Sequence, residues 1–540
     1  MTVADAVGRA LADLGADHVF GVVGSGNFHV TNALVAGGAR YVAARHEGGA
    51  ATMADAYART SGRLGVLSVH QGCGLTNAMT GITEAAKSRT PLVVLAAEVT
   101  SPRSNFFVDQ TALATAVGAV SERVTSASTA VDTVVRAVRR ATHERRTVVL
   151  NLPLDRQSEP APSASSALDR SVLDPPVLDP PAGVDALAEA IASARRPVFI
   201  AGRGARHARA GLERLAARCG ALLATSAVAN GLFAGNPWSL GISGGFASPL
   251  AAELIAGADL VVGWGCALNG WTLRHGALVG PGATVAQVDL DADALGAHRP
   301  VDVGVVGDVR AVADAVRVDG TPGYRSPELA SRIAAAVRWR DVPFADGSGA
   351  DRIDPRALSV RLDDLLPAER VLGVDSGNFM GYPSAYLSVP DERGFCFTQA
   401  FQSIGLGLAT TIGAALARPD RLPVAALGDG GGLMGVAELE TVVRLGLPMV
   451  VVVYNDSGYG AEVHHFGPAG HPLDTVRFPD TDFAALGRGF GCAALTVRRR
   501  DDLAGLTRWL DGPRDTPLLI DAKVTTDRAA WWLEEAFRGH

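Results

Sequence analysis

Short runs of β-branched and other apolar residues alternate with Ala-rich stretches of helical period along most of this chain. The runs fall at 18–24, 64–69, 91–97, 148–153, 197–202, 260–263, 285–289, 424–427 and 449–454. Apolar strands that alternate with amphipathic helices are typical of parallel β-sheets covered by helices. The sequence therefore predicts an α/β fold. Because 540 residues exceed what one hydrophobic core holds together, we expect about three domains.

Two stretches break this alternation and predict linkers. From 155 to about 183 the composition turns to Ser, Pro and Asp, with the doublets Pro175-Pro176 and Pro180-Pro181. Near 320–355, two turns rich in Gly and Asp interrupt the periodicity. We therefore expect three domains, each with a mainly parallel sheet covered by helices, at 1–160, 184–325 and 350–540.

Composition and charge argue against several classes of protein. The net charge of −7 is mild for this length and no basic block occurs, so we expect no nucleic-acid partner. The five cysteines form no CxxC pair, which argues against a zinc site and for a reducing compartment. The N-terminus lacks a signal-peptide pattern, and no apolar run reaches the roughly 18 residues of a membrane span. We expect a cytoplasmic protein without membrane contact.

Two polar loops follow neighbouring strands in the last third of the chain. Gly428-Asp429-Gly430-Gly431-Gly432 follows the run at 424–427, and Asn455-Asp456-Ser457-Gly458 follows the run at 449–454. A βαβ unit brings both loops to the carboxyl ends of adjacent parallel strands, where α/β sheets bind ligands. The glycines let backbone N–H groups approach a phosphate, and the helix that follows offers it a positive dipole end.

A diphosphate in such a loop needs a hard cation, and Mg²⁺ accepts one or two carboxylates together with phosphate oxygens. Asp429 and Asp456 can supply the carboxylates, with the Gly458 carbonyl as a third ligand. The competing interpretation is an Asp-Gly β-turn and a second polar turn that are unrelated to each other.

This unit resembles the cofactor signature of the thiamine-diphosphate (ThDP) enzymes related to acetolactate synthase, benzoylformate decarboxylase and pyruvate decarboxylase. In that family a Gly-Asp-Gly is followed by Asn-Asn or a variant, whose second position usually binds Mg²⁺. Asp456 lies 27 positions after Asp429 and takes that second position, where Asp replaces the usual Asn. If the register differs by one residue, Asn455 is the ligand instead.

A second segment, Arg45-His46-Glu47-Gly48-Gly49, resembles the family's segment that carries the glutamate bonded to the aminopyrimidine ring of ThDP. A partly buried carboxylate against that ring favours the imino tautomer, which then takes the proton from thiazolium C2. The resemblance implies that Glu47 is this catalytic group. Taken alone, a Glu in the first turn of a helix is a capping or dipole residue.

The segment from Ser68 to Asn77 occupies the place of the family's Gly-rich loop. Benzoylformate decarboxylase resembles this chain in having a His at the position of His70. The resemblance implies that His70 transfers protons near the thiazolium ring. The alternative is that His70 only forms structural hydrogen bonds. We assign Asn77 to cofactor binding, and Ser25, Gly26, His70 and Asn105 to the substrate pocket.

The resemblance assigns further residues of the third segment. Glu462 lies at the offset from the metal loop at which pyruvate decarboxylases place a catalytic Glu. His464 and His465 are adjacent on a helix and point too far apart to bind one metal ion together, so we assign His465 to the substrate pocket. Ile404 takes the place of the large apolar residue that holds the two cofactor rings in a V shape. The cofactor-binding set is Glu47, Asn77, Gly377, Asn378, Ser403, Ile404, Gly430, Gly431, Asn455, Tyr459 and Gly460.

The resemblance implies a pyrimidine-binding, a middle and a diphosphate-binding domain, with ThDP and Mg²⁺ as cofactors and no FAD. It further implies a 2-oxo acid decarboxylase or carboligase that acts through a C2 ylid and an enamine, with an aldehyde or ketone acceptor if it ligates. Acetolactate synthase proper, condensing pyruvate without FAD, and a non-catalytic homologue are the alternatives. Relatives place the glutamate and the Gly-Asp-Gly loop on different subunits, so we expect a homodimer or homotetramer.

Overall fold

The fold contains three six-stranded β-sheets, and every strand is parallel to its neighbours in the sheet. This computed structural model describes residues 1–161, 168, 171, 182–318, 320, 323–526 and 528–538. Helices cover each sheet, which confirms the predicted α/β fold with three sheet-bearing domains. Most of the predicted first linker, at 162–167, 169–170 and 172–181, lies outside the described residues, as do 319, 321 and 322 of the second.

The N-terminal sheet has the strand order β2-β1-β3-β4-β6-β5. Its strands are β1 His18–Gly21, β2 Arg40–Ala43, β3 Gly65–Val69, β4 Leu92–Glu98, β5 Val120–Arg123 and β6 Thr147–Pro153. Its helices are α1 Val3–Asp13, α2 Phe28–Ala36, α3 Glu47–Ser61, α4 Cys73–Lys87, α5 Gln110–Ala116, α6 Ala130–Thr142 and α7 Leu154–Gln157. The central strands β3, β4 and β6 are buried on both faces, as expected of a parallel sheet between helix layers.

The middle sheet has the order β12-β11-β10-β7-β8-β9. Its strands are β7 Pro197–Ala201, β8 Leu222–Thr225, β9 Ser239–Ile242, β10 Leu260–Trp264, β11 Thr284–Asp289 and β12 Val303–Val306. The helices are α8 Val184–Ser193, α9 Arg209–Cys219, α10 Pro249–Ala256, α11 Val309–Ala315 and α12 Pro327–Ala336. After β7, Gly202 lies so close to the next loop that an added Cβ would stand 2.2 Å from the Gly265 carbonyl oxygen.

The C-terminal sheet has the order β14-β13-β15-β16-β18-β17. Its strands are β13 Arg370–Val374, β14 Phe395–Phe397, β15 Leu422–Gly428, β16 Val450–Asn455, β17 Ala493–Val497 and β18 Leu518–Lys523. The helices are α13 Pro355–Leu365, α14 Gly381–Tyr386, α15 Gly407–Ala417, α16 Asp429–Met434, α17 Glu438–Arg444, α18 Gly460–Phe466, α19 Phe483–Phe490, α20 Ala504–Asp511 and α21 Leu533–Phe537. The glycine run after β15 is therefore helical from Asp429, with Gly428 as N-cap, whereas the sequence predicts a loop.

Helix α3 packs against helix α15 and joins the N-terminal domain to the C-terminal domain. A Cβ added at Gly413 of α15 would lie 2.2 Å from the Met53 carbonyl oxygen of α3, so only glycine allows this approach. Met53 and Ile412 belong to one shared core. This packing fixes the first turn of α3, which carries Glu47, relative to the C-terminal sheet.

Candidate active site

Two carboxyl groups meet where β15 and β16 end. The strands are parallel neighbours, with Gly428 in register with Tyr454, so the loops after them emerge side by side. The side chains of Asp429 and Asp456 are in hydrogen-bonding contact. The backbone N–H of Gly458 donates to Asp429 Oδ2 at 3.0 Å. The loop after β16 thus closes over the carboxylate at the end of β15.

Both carboxyl groups of this pair have raised pKa values. Burial raises the pKa of Asp429, although the hydrogen bonds from Asp456, Gly430 and Gly458 oppose the shift. Burial and then the nearby charge of Asp429 raise the pKa of Asp456 well above its usual range. Two buried carboxylates cannot both carry charge without a counter-charge. A divalent cation would supply that counter-charge.

Asn455 turns away from this carboxyl pair. Its side chain is fully buried, and Nδ2 donates to Asp521 Oδ1 at 3.0 Å and to the Thr481 carbonyl at 3.1 Å. Its Oδ1 accepts from the Ser457 backbone N–H at 3.2 Å. Of the two candidates that the sequence leaves open, the structure places Asp456 beside Asp429 and gives the Asn455 amide to the loop's internal support.

Arg352 holds the same loop from outside, a role that sequence patterns do not reveal. Its Nη1 donates to the Asn455 carbonyl at 3.2 Å, and its Nη2 donates to Ser457 Oγ at 3.1 Å. Ser457 has φ +62°, a left-handed conformation that a non-glycine residue rarely adopts. The guanidinium therefore holds the loop on both sides of Asp456, through the backbone of Asn455 and the side chain of Ser457.

Several predicted cofactor residues surround the pair. Asn378 is hydrogen-bonded to Asp456 through its side chain, while its buried Oδ1 has no partner among the described residues. A Cβ added at Gly460 would lie 2.2 Å from Asp456 Oδ2, and one at Gly430 would lie 2.5 Å from the Tyr459 ring. Gly377 has φ +135°, which side chains rarely allow. These positions form a close-fitting cradle beside the carboxyl pair.

Asp375 organises the segment that carries Ser403 and Ile404. Its carboxylate accepts backbone N–H groups from Ser376 at 2.8 Å and from Gly405 at 3.0 Å, and burial raises its pKa to about 6. Ser403 and Ile404 are partly exposed directly before Gly405. A Cβ at Gly431 would lie 2.4 Å from Asp375 Oδ2, so Gly431 packs against this carboxylate.

A separate group of side chains forms around Glu47 at the carboxyl ends of the N-terminal strands; we call it the first cluster, and the group around Asp429 and Asp456 the second cluster. Glu47 starts α3 and is partly buried, and Asn77 Nδ2 donates to its Oε2 at 3.1 Å. A Cβ at Gly74 would lie 3.0 Å from the His70 Cβ and 3.5 Å from Glu47 Oε1. Because Gly74 has no side chain, the loop that carries His70 and the side chain of Glu47 can lie close together.

His70 is held in this cluster by two polar contacts and one ring. Ser25 Oγ lies 3.4 Å from His70 Nε2, and His70 Nδ1 lies 3.0 Å from the Gln71 carbonyl oxygen. The Phe106 ring stands edge-on to the imidazole at 5.3 Å. Only glycine fits at position 26, because a Cβ there would lie 1.7 Å from Gln71 Oε1. Since Gln71 Oε1 has no described partner, it is a further polar group that the sequence did not reveal.

The remaining pocket candidates lie at the edges of the two clusters. Asn105 is exposed beside Phe106. Glu462 is partly exposed in α18, the helix that follows the loop of Asp456. His465, in the last turn of α18, stacks on Phe537 with ring centroids 3.9 Å apart, so that ring is engaged by the C-terminal helix α21.

The two clusters are separate within one chain. Among the described residues, no hydrogen bond or ion pair joins Glu47 or His70 to the carboxyl pair. The same residues contain no group of three or more His, Cys, Asp or Glu side chains able to hold a metal ion, and no helix long and apolar enough to cross a membrane.

Comparisons with known proteins match all three domains. The thiamine pyrophosphate enzyme family models match as follows: the N-terminal TPP binding domain over residues 1–119, the central domain over 184–316 and the C-terminal TPP binding domain over 375–522. The probable 2-ketoarginine decarboxylase of Pseudomonas aeruginosa is 32% identical over 527 residues, which cover 94% of this chain and 91% of that protein.

The chain belongs to the thiamine pyrophosphate enzyme family.

Other similar proteins carry different names within this family. A sulfoacetaldehyde acetyltransferase of Alcaligenes xylosoxydans is 29% identical, with 86% of this chain and 82% of that protein covered. The catabolic acetolactate synthase of Raoultella terrigena is 28% identical, with 96% of each covered. The solved structure of a Rhodococcus jostii ThDP-dependent 4-hydroxybenzoylformate decarboxylase shares the fold, with TM-score 0.81, 24% identity and coverage of 98% of this chain and 100% of that one.

The residues of this thiamine pyrophosphate enzyme fit the family's cofactor. The N- and C-terminal models are TPP-binding domains, and both candidate clusters lie in the corresponding parts of the chain. The unpaired Asn378 Oδ1 can accept a hydrogen bond or bind a cation beside Asp456, and the glycines at 430 and 460 let the two loops close tightly around that place. The Asp429–Asp456 pair suits the divalent cation that a diphosphate needs.

Glu438 supports this site from the C-terminal domain. Glu438 Oε1 accepts the backbone N–H groups of Arg45 at 3.0 Å and His46 at 3.1 Å, directly before Glu47. Its side chain is buried, and burial raises its pKa. Because this contact spans 393 residues, no local pattern announces it.

Proposed function

We propose that this chain is a ThDP- and Mg²⁺-dependent enzyme that decarboxylates a 2-oxo acid and, where an aldehyde or ketone is available, ligates the product to it. The observation that carries the proposal is the convergence of Glu47, Asn77 and His70 around Gly74 in a chain of this family. A glutamate at the aminopyrimidine and an imidazole that can transfer protons are groups suited to 2-oxo acid decarboxylation.

In this proposal Glu47 holds a proton at the aminopyrimidine ring and Asn77 orients its carboxylate through the 3.1 Å hydrogen bond. Bound ThDP supplies the electron sink for the electrons of the breaking bond to CO₂. Asp429 and Asp456 hold Mg²⁺ with the Gly458 carbonyl, and the cradle at Asn378, Gly430 and Gly460 binds the diphosphate. Ile404 supports the rings of the cofactor.

His70 moves a proton at the substrate side, where Ser25 Oγ lies 3.4 Å from its Nε2. The contact of Nδ1 with the Gln71 carbonyl favours a proton on Nδ1 and leaves Nε2 free to accept one. Asn105 and His465 border the pocket, and Glu462 supplies a second carboxyl group. The position of His70 is the feature that favours decarboxylation followed by protonation.

Exposed apolar side chains flank both clusters and support an oligomer whose active sites lie between chains. Val23, Phe28, Phe106 and Phe107 are 38–51% exposed beside the first cluster. Around the second cluster the exposed apolar side chains are Phe401, Leu433, Met434, Phe466 and Phe478. Since such patches mark association surfaces, we propose a homodimer or homotetramer in which the first cluster of one copy faces the second cluster of another.

A panel of 2-oxo acids tests the function, with and without acceptor aldehydes. The acids include pyruvate, an aromatic 2-oxo acid and a cationic one, because relatives are named for different substrates. Release of CO₂ with an aldehyde product supports the decarboxylase. Acetolactate from pyruvate would instead make it a synthase, and the absence of turnover on every acid would contradict the proposal.

Variants of one histidine inside the first cluster and of one outside it sharpen this test. Replacing His70 with Ala should lower kcat roughly 100-fold or more on the preferred acid, the scale of a lost general acid–base group. Replacing the exposed His298 of the middle domain with Ala is the matched control and should leave kcat unchanged. Equal kcat values for both variants would remove His70 from the reaction.

A further inference from the structure

A cavity of about 260 Å³ lies between α14, the start of α13 and the residues that precede α21. Its volume is slightly below the roughly 300–1,000 Å³ found for sites of drug-sized ligands, which suits a small ligand. Its walls include Trp339, Phe344, Tyr382, Tyr386 and Trp531. None of these five belongs to the two clusters described above.

Two tyrosines with hydroxyl groups line this cavity. Tyr382 is 7% exposed and Tyr386 is 4% exposed, and neither hydroxyl is hydrogen-bonded to any described residue. Neither hydroxyl oxygen is among the fully enclosed polar atoms, so both reach the cavity, where a ligand or water can accept their hydrogen bonds. Burial raises the pKa of Tyr386 to about 12 and also raises the pKa of Tyr382. Both hydroxyls are therefore protonated donors at neutral pH.

The charged side chains that line the cavity, Arg356, Asp354 and Arg528, indicate which charge a ligand there would carry. Arg356 Nε and Nη2 donate to Asp354, at 3.0 Å and 2.5 Å, whereas its Nη1 has no described partner. Asp354 is already engaged, because its Oδ2 also accepts the Gly347 backbone N–H at 2.9 Å. With Arg528 also lining the cavity, cations exceed carboxylates by one. The cavity therefore favours an anion over a cation.

The walls favour a flat ring. Trp339 and Trp531 are stacked with centroids 4.0 Å apart and planes 30° apart, and the Phe344 ring lies under the Arg356 guanidinium at 4.6 Å. The indole Nε1 of Trp531 is buried without a described partner. Aromatic walls with a few convergent donors are typical of sites for planar ligands.

We propose that this cavity is a second ligand site that binds a planar aromatic monocarboxylate. The ring lies among Trp339, Phe344 and Trp531, and the carboxylate accepts hydrogen bonds from the Tyr382 and Tyr386 hydroxyls and from Arg356 Nη1. This site does not depend on the reaction at Glu47. The proposal of a second site can therefore be tested separately from the proposed function.

Calorimetric titration of the ThDP- and Mg²⁺-loaded enzyme with benzoate tests the site. Benzoate should bind more tightly than benzyl alcohol, which lacks the charge, and than propanoate, which lacks the ring. Replacing Tyr382 or Tyr386 with Phe keeps each ring and should raise the Kd about tenfold per hydroxyl, because hydrogen bonds to a charged group are strong. The matched control is Tyr324→Phe. The Tyr324 hydroxyl donates to the Leu254 carbonyl in the middle domain, away from this cavity.

Benzoate could also enter the reaction centre, and the His70→Ala enzyme separates the two places. The proposed site predicts that benzoate binding persists in His70→Ala and weakens in Tyr382→Phe and Tyr386→Phe. An unchanged Kd in both tyrosine variants, loss of binding in His70→Ala, or no binding to the wild-type enzyme would each overturn the proposal.

Discussion

Asp456 lies against Asp429 with their carboxyl groups in hydrogen-bonding contact, while the neighbouring Asn455 points its amide into the interior. The family usually has Asn where this chain has Asp456. Asp456 therefore brings a second acidic group to the site beside Asp429. Both pKa values are raised because the pair is buried without a counter-charge. Mg²⁺ binding should depend strongly on this pair.

Substitutions at 455 and 456 should have different effects. Asp456→Ala removes a proposed ligand and should weaken Mg²⁺ binding by at least the roughly 10–100-fold typical of outer-shell losses. Asn455→Ala removes the buried hydrogen bonds to Asp521 Oδ1 and the Thr481 carbonyl, and should lower the Tm more than the Mg²⁺ affinity. Titration with Mg²⁺ and thermal melts of the cofactor-free proteins measure both effects. The reverse pattern would make Asn455 the ligand.

The pair also predicts how pH acts on the cofactor-free protein. Because the folded pKa values are raised, the folded state keeps protons that unfolded carboxyl groups release near pH 4. Stability is therefore lost as the pH rises from about 4 through the folded pKa values, and Mg²⁺ restores it. Mg²⁺ affinity should increase with pH over the same window, as the shared proton leaves.

Asp456→Asn is the control for this pH effect, because Asp375 also has a raised pKa and would contribute in the same direction. The pH dependence of Mg²⁺ affinity should become shallower in Asp456→Asn. An identical slope in the variant would assign the effect to another group.

Arg352→Gln should loosen the loop that carries Asp456. Removing the guanidinium deletes its bonds to the Asn455 carbonyl and Ser457 Oγ, while the left-handed Ser457 stays strained. We expect Mg²⁺ affinity to fall about 10–100-fold, as for residues that orient metal ligands. Arg332→Gln, which removes an exposed pair with Glu253, is the matched control. Equal Mg²⁺ affinities for the two variants would contradict a positioning role.

The two-chain active site predicts complementation between inactive variants. Glu47→Gln damages the first cluster and Asp429→Asn damages the second, so each homo-oligomer should be inactive. In a mixed dimer one of the two sites combines both intact clusters, and random mixing should restore about a quarter of the wild-type activity. Co-expression followed by an activity assay measures this. No recovery in a verified mixed oligomer would place each complete site within one chain.

Much of the fold follows from local sequence patterns, while the site depends on contacts that these patterns do not contain. The β-branched runs predict the sheets because buried parallel strands need continuous apolar residues. The helical glycine run at Asp429–Met434 was not predicted, because glycine has low helix propensity. There the packing of Gly430 on Tyr459 and of Gly431 on Asp375 requires the absence of side chains.

The candidate site shows the same division. Glu47, His70 and Asp429 stand in recognisable local motifs. Arg352 and Glu438, which fix the loops around them, act across 103 and 393 residues, so nothing in their own neighbourhood distinguishes them. The choice between Asn455 and Asp456 likewise depends on the side chains' directions after β16. That direction is set by the buried partners of Asn455, which tertiary packing supplies.

The most direct test of the proposed mechanism is the turnover of Glu47→Gln on the best 2-oxo acid, measured at saturating ThDP and Mg²⁺. Gln keeps the shape of Glu and a hydrogen bond with Asn77, so the fold should be retained. It cannot hold the proton at the aminopyrimidine, and kcat should fall at least ~100-fold. Full activity of Glu47→Gln on every 2-oxo acid that the wild-type enzyme uses would contradict the mechanism.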